Sequence, residues 1–304
     1  MPKKFHANIM NIILASLILI GIFVVVLIYV TNPDSSSTEN PKANKVEDNS
    51  DQINEEDVTT VDSTDKEISK EKDPFEELTL TSENVGVPVL YYHSVNPSEA
   101  NEVTITPTKL KEQLQFVKDS GYTTLTIAQF TDYIVNNKPI PVKSILLTFD
   151  DGYMDNYTNA LPILKELGMK ATIFVITSGI DDGYYLSTAQ LKEMSAYGID
   201  IESHTNGHFY LNQLSYEKQI VELKSSKEKL KTILGKDVTA IAYPFGALNS
   251  NTEKAVKEAG YTVAFTTNRG LADRNDTAIK LDRIYINSKW DMATFKDRLL
   301  NTKK

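Results

Sequence analysis

Cysteine is absent from the 304 residues. Its absence excludes a disulfide framework, a thiolate zinc site, a cysteine nucleophile and a lipid-modified cysteine anchor. An excess of basic charge is also missing, since 32 Lys and Arg stand against 41 Asp and Glu. A protein that wraps duplex nucleic acid would show a basic face, so nucleic acid is not an expected partner. Histidine is scarce, at four residues, which makes the position of each one informative. No dinucleotide-type glycine pattern follows a strand-like run.

What charge there is sits unevenly. Residues 31–84 hold 16 acidic and 5 basic residues, whereas 85–304 hold 25 of each. The acidity therefore belongs to one segment and is silent about a substrate. That segment is rich in Ser, Thr, Asn, Asp, Glu and Lys, and its few apolar residues show no period. Such a composition cannot bury enough apolar surface to order itself, so a disordered, extended tether is expected over 31–84. Upstream, residues 9–30 run for 22 residues without a charge. A helix of that length spans about 33 Å, enough to cross a hydrocarbon core. Lys3 and Lys4 precede it and Asp34 is the first charge after it, which places residues 1–8 in the cytoplasm and the rest outside. The run lacks the small-x-small end of a cleavable signal peptide, so a retained single-pass anchor in the cell membrane is expected.

Residues 85–304 have the length of one α/β domain, expected to be monomeric. Short β-branched runs at 87–92, 144–149, 171–176, 199–203, 240–243 and 262–266 alternate with amphipathic stretches. The latter, at 110–119, 127–136, 161–167, 188–197, 216–234 and 252–259, read as helices. Gly121, Gly168, Gly198, Gly235 and Gly260 follow five of them, where a left-handed cap is wanted. Repeated strand–helix units imply a parallel sheet. Six or more units without a dinucleotide glycine pattern favour a closed or partly closed barrel, whose chemistry gathers at the C-terminal strand ends.

The strand ends carry a concentrated set of ligand-type residues. The run 144–149 ends in Asp150-Asp151-Gly152, the run 199–203 in His204-Thr205-Asn206-Gly207-His208, and the first run in His93. Neighbouring side chains alternate in direction along a strand, so one of the two carboxylates can hold a metal while the other faces substrate. Asp-Asp-Gly is equally good turn chemistry. Two imidazoles four residues apart, with one carboxylate, make a facial set with open positions that suits a catalytic metal, zinc above all. Two surface histidines are the plain alternative.

Leu147-Thr148-Phe149-Asp150-Asp151-Gly152 resembles the T-F-D-D-G motif of polysaccharide deacetylases, the NodB homology domain of carbohydrate esterase family four. Ser203-His204-Thr205-Asn206-Gly207-His208 resembles that family's H-[ST]-x-x-H motif, in the right order and about fifty residues on. The resemblance spans 87–290. It implies a distorted (β/α) barrel that removes N- or O-acetyl groups from polysaccharides. It implies Asp150 as general base, and Asp151, His204 and His208 as ligands of one divalent ion, zinc or else cobalt or nickel.

Two departures stand out. Where the family carries R-x-P-[FY], this chain has Ala242-Tyr243-Pro244-Phe245, and no histidine follows His208. Together with Tyr91-Tyr92-His93, both resemble the subgroup of biofilm poly-N-acetylglucosamine deacetylases, in which an N-terminal Tyr-His places an imidazole in the site. His93 is then the expected general acid. Arg283 or Arg269 is the expected substitute for the missing Arg. The Phe245 N–H is an expected oxyanion donor, and Tyr243 an expected substrate contact. The expected function is N-deacetylation of an extracellular GlcNAc-containing polysaccharide, such as poly-N-acetylglucosamine or peptidoglycan. The alternatives are O-acetyl ester hydrolysis on another polysaccharide and a catalytically silent surface lectin.

Overall fold

The computed structural model describes residues 75–98 and 101–303. The expected cytoplasmic segment, membrane span and most of the tether lie outside the described residues. Among the described residues no helix is long and apolar enough to cross a membrane.

Seven parallel strands close into a barrel. They are β1 (Val89–Tyr92), β2 (Ser144–Phe149), β3 (Thr172–Val175), β4 (Asp200–Ser203), β5 (Ala240–Ala242), β6 (Val263–Arg269) and β7 (Leu281–Tyr285). Each pairs with its neighbour in chain order, and β1 pairs with both β2 and β7 to complete the ring. The register runs Val89 opposite Leu146 to Tyr92 opposite Phe149 at one side of β1, and Ile284 opposite Leu90 at the other. A register shift between Phe265 and Arg269 distorts the β6–β7 edge. The six strands expected from the sequence all form, and β7 is an addition.

The helices are α1 (Pro107–Asp119), α2 (Ile127–Asn136), α3 (Leu161–Leu167), α4 (Thr188–Tyr197), α5 (Tyr216–Leu234), α6 (Ser250–Glu258) and α7 (Met292–Asn301). Each start except that of α3 is set by a side-chain cap: Thr106, Thr126, Ser187, Ser215, Asn249 and Asp291 accept backbone N–H groups at N2 or N3. The five glycines expected after helices all take positive φ. A π-helical turn, Asn156–Ala160, leads into α3.

Regular structure begins upstream of the expected boundary at residue 85. Leu80–Thr81 pairs antiparallel with Ile140–Pro141, and Phe75 packs against the barrel cluster. A two-residue strand in a polar surround leaves no period to read, which is why the tether seemed to extend to residue 84.

Alternate residues of each strand divide the core. Val89, Leu146, Phe174, Phe265 and Leu281 cluster inside with Phe130 and Tyr133 of α2, while Leu90, Leu147, Ile173, Ile241 and Ile284 pack outward under the helices. Burying each such side chain contributes about 1.5–3 kcal/mol. Extending the inward rows past the strand ends reaches Val89-Tyr91-His93, Leu146-Thr148-Asp150, Asp200-Glu202-His204 and Leu281-Arg283. The two-residue period that fills the core therefore also delivers four ionisable groups to one mouth of the barrel.

Candidate active site

Asp150 and Asp151 end β2, and both belong to the mouth. Asp151 would point away from Asp150 in an ideal strand, but its φ of +74° turns the chain. Its Oδ1 then lies 3.4 Å from His204 Nε2 and 3.4 Å from His208 Nε2. Thr205 and His208 also hold positive φ, so the loop that follows β4 is bent sharply to bring both imidazoles to one point. Hydrogen bonds fix that bend. The His208 N–H donates to Thr205 Oγ1, the Gly207 N–H to Glu222 Oε2, and the Thr177 and Ser178 N–H groups to the carbonyls of Thr205 and Asn206.

His204 Nδ1 lies 2.8 Å from the Ala242 carbonyl, an acceptor only, so Nδ1 carries the proton and Nε2 presents a lone pair. Asp151 Oδ1 is buried and has no hydrogen-bond partner. Asp151, His204 and His208 each offer one ligand atom, and these atoms lie within 4.8 Å of one another, an arrangement that could hold a metal ion. Burial opposes charge on His204, yet the facing Asp151 and Asp150 carboxylates and the Ala242 carbonyl raise its pKa. Burial and neighbouring His204 push His208 down to about 4. Burial would raise the Asp151 carboxyl, but the imidazoles hold it well below the usual range. One carboxylate and two imidazoles are a donor set that fits a divalent ion.

Asp150 faces a different partner. Arg283, fully buried on β7, grips it with both guanidinium arms, Nη1 to Oδ1 at 2.8 Å and Nη2 to Oδ2 at 2.9 Å. The guanidinium is itself fixed: Nε donates to the Thr266 carbonyl at 2.8 Å, and its carbon lies 4.1 Å from the Tyr91 ring centre. Burial pushes the Asp150 carboxyl up, and the Arg283 cation more than reverses this, so Asp150 stays ionised. Of the two expected candidates, Arg283 is the one that contacts Asp150. Arg269, the other candidate, bonds instead to Thr302 Oγ1.

His93 continues the inward row of β1. Its carbonyl accepts from Asn156 Nδ2 at 2.8 Å, while its ring stands between Tyr91 and Tyr285 with Nδ1 buried and unpartnered. Burial lowers its pKa, against the opposing pull of Asp150 and Asp151. Phe245 holds φ of +59°, and its half-exposed ring stacks on Tyr210 at 3.9 Å and lies 4.6 Å from the His208 ring.

Tyr243 does not fit the expected role. It is fully buried among the outward-packing residues, and its hydroxyl donates to the Ile279 carbonyl. It braces β5 from outside the barrel and cannot touch substrate. Two aromatic residues missed by the sequence reading also lie at the mouth, Tyr153 within the field of Asp151 and Tyr285 beside His93, and Tyr285 in turn meets Trp290. Tyr153 directly follows Asp150-Asp151-Gly152, and this adjacency was the one available signal.

The comparisons agree with this geometry. Residues 137–264 match the family model for polysaccharide deacetylase. YxkH of Bacillus subtilis, provisionally named a polysaccharide deacetylase, is 35% identical over 229 residues, covering 75% of this chain and 81% of that protein. The poly-β-1,6-N-acetyl-D-glucosamine N-deacetylase of Staphylococcus epidermidis is 29% identical over 62% of this chain and 70% of its own length. Among solved structures, the Streptococcus pyogenes deacetylase PplD in complex with acetate superposes with a TM-score of 0.67 at 35% identity, covering 73% of this chain and all of that one.

Proposed function

The chain belongs to the polysaccharide deacetylase family, and we propose that it hydrolyses N-acetyl groups from an extracellular GlcNAc-containing polysaccharide, poly-N-acetylglucosamine in particular. The observation that carries this reading is the pairing of two differently held carboxylates. Asp151 Oδ1 meets two imidazoles with no hydrogen bond of its own, and Asp150 beside it is clamped by Arg283. Opposite environments for adjacent carboxylates assign opposite roles.

Asp151, His204 and His208 would hold a divalent ion, which would supply Lewis acidity where the acetyl carbonyl is attacked. Asp150 accepts the proton of the attacking water as the C–O bond forms, and Arg283 fixes its direction and keeps it ionised. The Phe245 N–H meets the developing oxyanion. As the C–N bond breaks, its electron pair passes to nitrogen and His93 delivers the proton there, leaving acetate and a free amine. The backbone bends at Asp151, Thr205, His208 and Phe245 are the kind of strain that positions such groups.

The missing third-motif Arg would have favoured a silent lectin, but Arg283 restores that contact. The named activity of the staphylococcal relative supports the amide and the polymer. The apolar run over 9–30 and the acidic segment after it support a membrane-tethered, extracellular enzyme. Acetate release from poly-β-1,6-GlcNAc, chitooligosaccharides, peptidoglycan and acetylxylan, with and without chelation, tests the reading. Release from acetylxylan alone, or an unchanged rate after exhaustive chelation, overturns it.

A further inference from the structure

The His208 imidazole is placed by its backbone. The His204 ring is oriented by the Ala242 carbonyl, whereas the His208 ring is partly exposed and meets Asp151 and Phe245. Its φ of +57° is unfavourable for a residue with a Cβ, and such a bend persists only where the surroundings over-determine it. The two peptide groups before His208 are both held. The His208 N–H donates to Thr205 Oγ1 at 3.1 Å, which fixes the Gly207–His208 plane. The Gly207 N–H donates to Glu222 Oε2 at 2.6 Å, which fixes the Asn206–Gly207 plane.

Glu222 comes from α5, and the same helix face supports the loop twice more. Glu222, Ser226 and Lys229 recur at i, i+4 and i+7, the spacing of one face. Ser226 Oγ lies 2.8 Å from Ser203 Oγ, which accepts the Thr205 N–H. Lys229 Nζ donates to the Thr177 carbonyl. Thr177 in turn donates its N–H to the Thr205 carbonyl and its hydroxyl to the Asn206 amide oxygen. Glu222 and Ser226 are buried, where an inward helix face is ordinarily apolar. A buried carboxylate is costly unless its hydrogen bonds are made, so packing alone does not account for this stripe. It has the form of a template for the bend between His204 and His208. Gly207 suits that template. A Cβ there would clash with the Phe209 ring and come within 3.2 Å of Glu222 Oε1, so only a bare backbone lets the peptide approach the carboxylate.

We propose that Glu222 is a positioning residue for the ion site: it holds the Asn206–Gly207 peptide and so sets His208 in place before an ion arrives. Glu222 is not one of the three residues that would bind the ion, and it acts through the loop. The inference rests on the reading that Asp151, His204 and His208 hold a divalent ion, and it adds what makes that site preformed.

The test measures Zn²⁺ affinity of the metal-stripped full chain by competition with a chromogenic chelator, in wild type, Glu222→Asp and Glu222→Gln. The aspartate keeps a carboxylate but withdraws the acceptor from Gly207, whereas the glutamine keeps an acceptor at full reach. Glu222→Asp should raise the Kd about 10–100-fold, the usual effect of losing a group that orients a ligand. Glu222→Gln should restore binding to within about threefold of wild type. Melting of the metal-free forms separates this from a general loss of fold. A merely structural brace lowers Tm in Glu222→Asp and leaves the Kd unmoved. Hydrogen exchange at the Gly207 amide of metal-free wild type needs no variant, and slow exchange is expected there. A Glu222→Asp Kd within about threefold of wild type, a glutamine variant as weak as the aspartate, or fast exchange at Gly207 overturns the positioning role. A wild type that binds no Zn²⁺ overturns the ion-site reading itself, and this inference with it.

Discussion

Replacing Arg283 with Met tests how Asp150 is held. The Arg283 guanidinium and the Asp150 carboxylate meet through two bonds of 2.8 and 2.9 Å, both side chains being essentially inaccessible to water. At about 4 Å between charge centres, attraction amounts to roughly 4 kcal/mol at an effective dielectric of 20. Removing one partner leaves the other charge buried and alone, at a cost of about 3–5 kcal/mol. For a domain of this size each kcal/mol shifts Tm by about 2–4 °C, so Arg283→Met should melt roughly 6–20 °C below wild type. Asp150→Asn removes the charge that made the vacancy costly. The double variant should therefore recover much of the loss, with a coupling energy of at least about 2 kcal/mol. Denaturant melts of wild type, both single variants and the double variant complete the cycle. Additivity within about 0.5 kcal/mol would refute the claim that the pair acts as one unit.

Other outcomes follow from the same geometry. His204→Ala should lose bound metal, measured by elemental analysis, together with activity, because two ligands hold zinc less well than three. Asp150→Asn should retain metal near wild-type occupancy while kcat drops by roughly 10²–10⁴-fold; a metal-free variant would exchange the roles of Asp150 and Asp151. His93→Ala should keep fold and metal, lose kcat and abolish or displace the basic limb of the pH–rate profile, and an unchanged limb would assign the proton to another donor. Glu202 is buried on the N–H groups of Thr239 and Ala240, and burial pushes its carboxyl up from 4.5 to about 8. Its folded pKa is raised, so the stability it contributes is full below pH 4.5 and is lost as pH rises toward 8. Glu202→Gln should then raise Tm at pH 9 and leave it nearly unchanged at pH 4, as read by thermal melts.

The barrel was legible because its units repeat. Each inward strand is a short apolar run bounded by turn residues, five of the seven helices open on a Ser, Thr or Asn, and five are closely followed by a glycine. The Asp151, His204 and His208 cluster was legible because Asp150-Asp151-Gly152 and His204 to His208 are contiguous in sequence. Arg283 was harder to read. Its strand, Leu281–Tyr285, carries two charges in five residues, and alternation is lost. What makes the burial of that guanidinium tolerable is a carboxylate 133 positions away, and no local pattern reports it. Tyr243 was misplaced for a related reason. An aromatic residue beside a site motif is equally compatible with either face, and only the parity set by Ala242 turns it outward. Asp291 caps α7, but Phe295 and Leu299 alone on a short, charged stretch were too sparse a stripe to mark it.

The clamp on Asp150 also carries a consequence for the order of assembly. Asp151, His204 and His208 all belong to the first 208 residues, whereas the guanidinium belongs to β7, the last strand of the ring. To reach Asp150 on β2 it must pass over Tyr91 on β1, so the contact spans the seam where the two ends of the barrel meet. A chain interrupted before residue 283 can possess Asp151, His204 and His208 and still lack the clamp on Asp150. The pairing of Asp150 is thereby conditional on ring closure: it forms only once the polypeptide has been made, and folded, to its final strand.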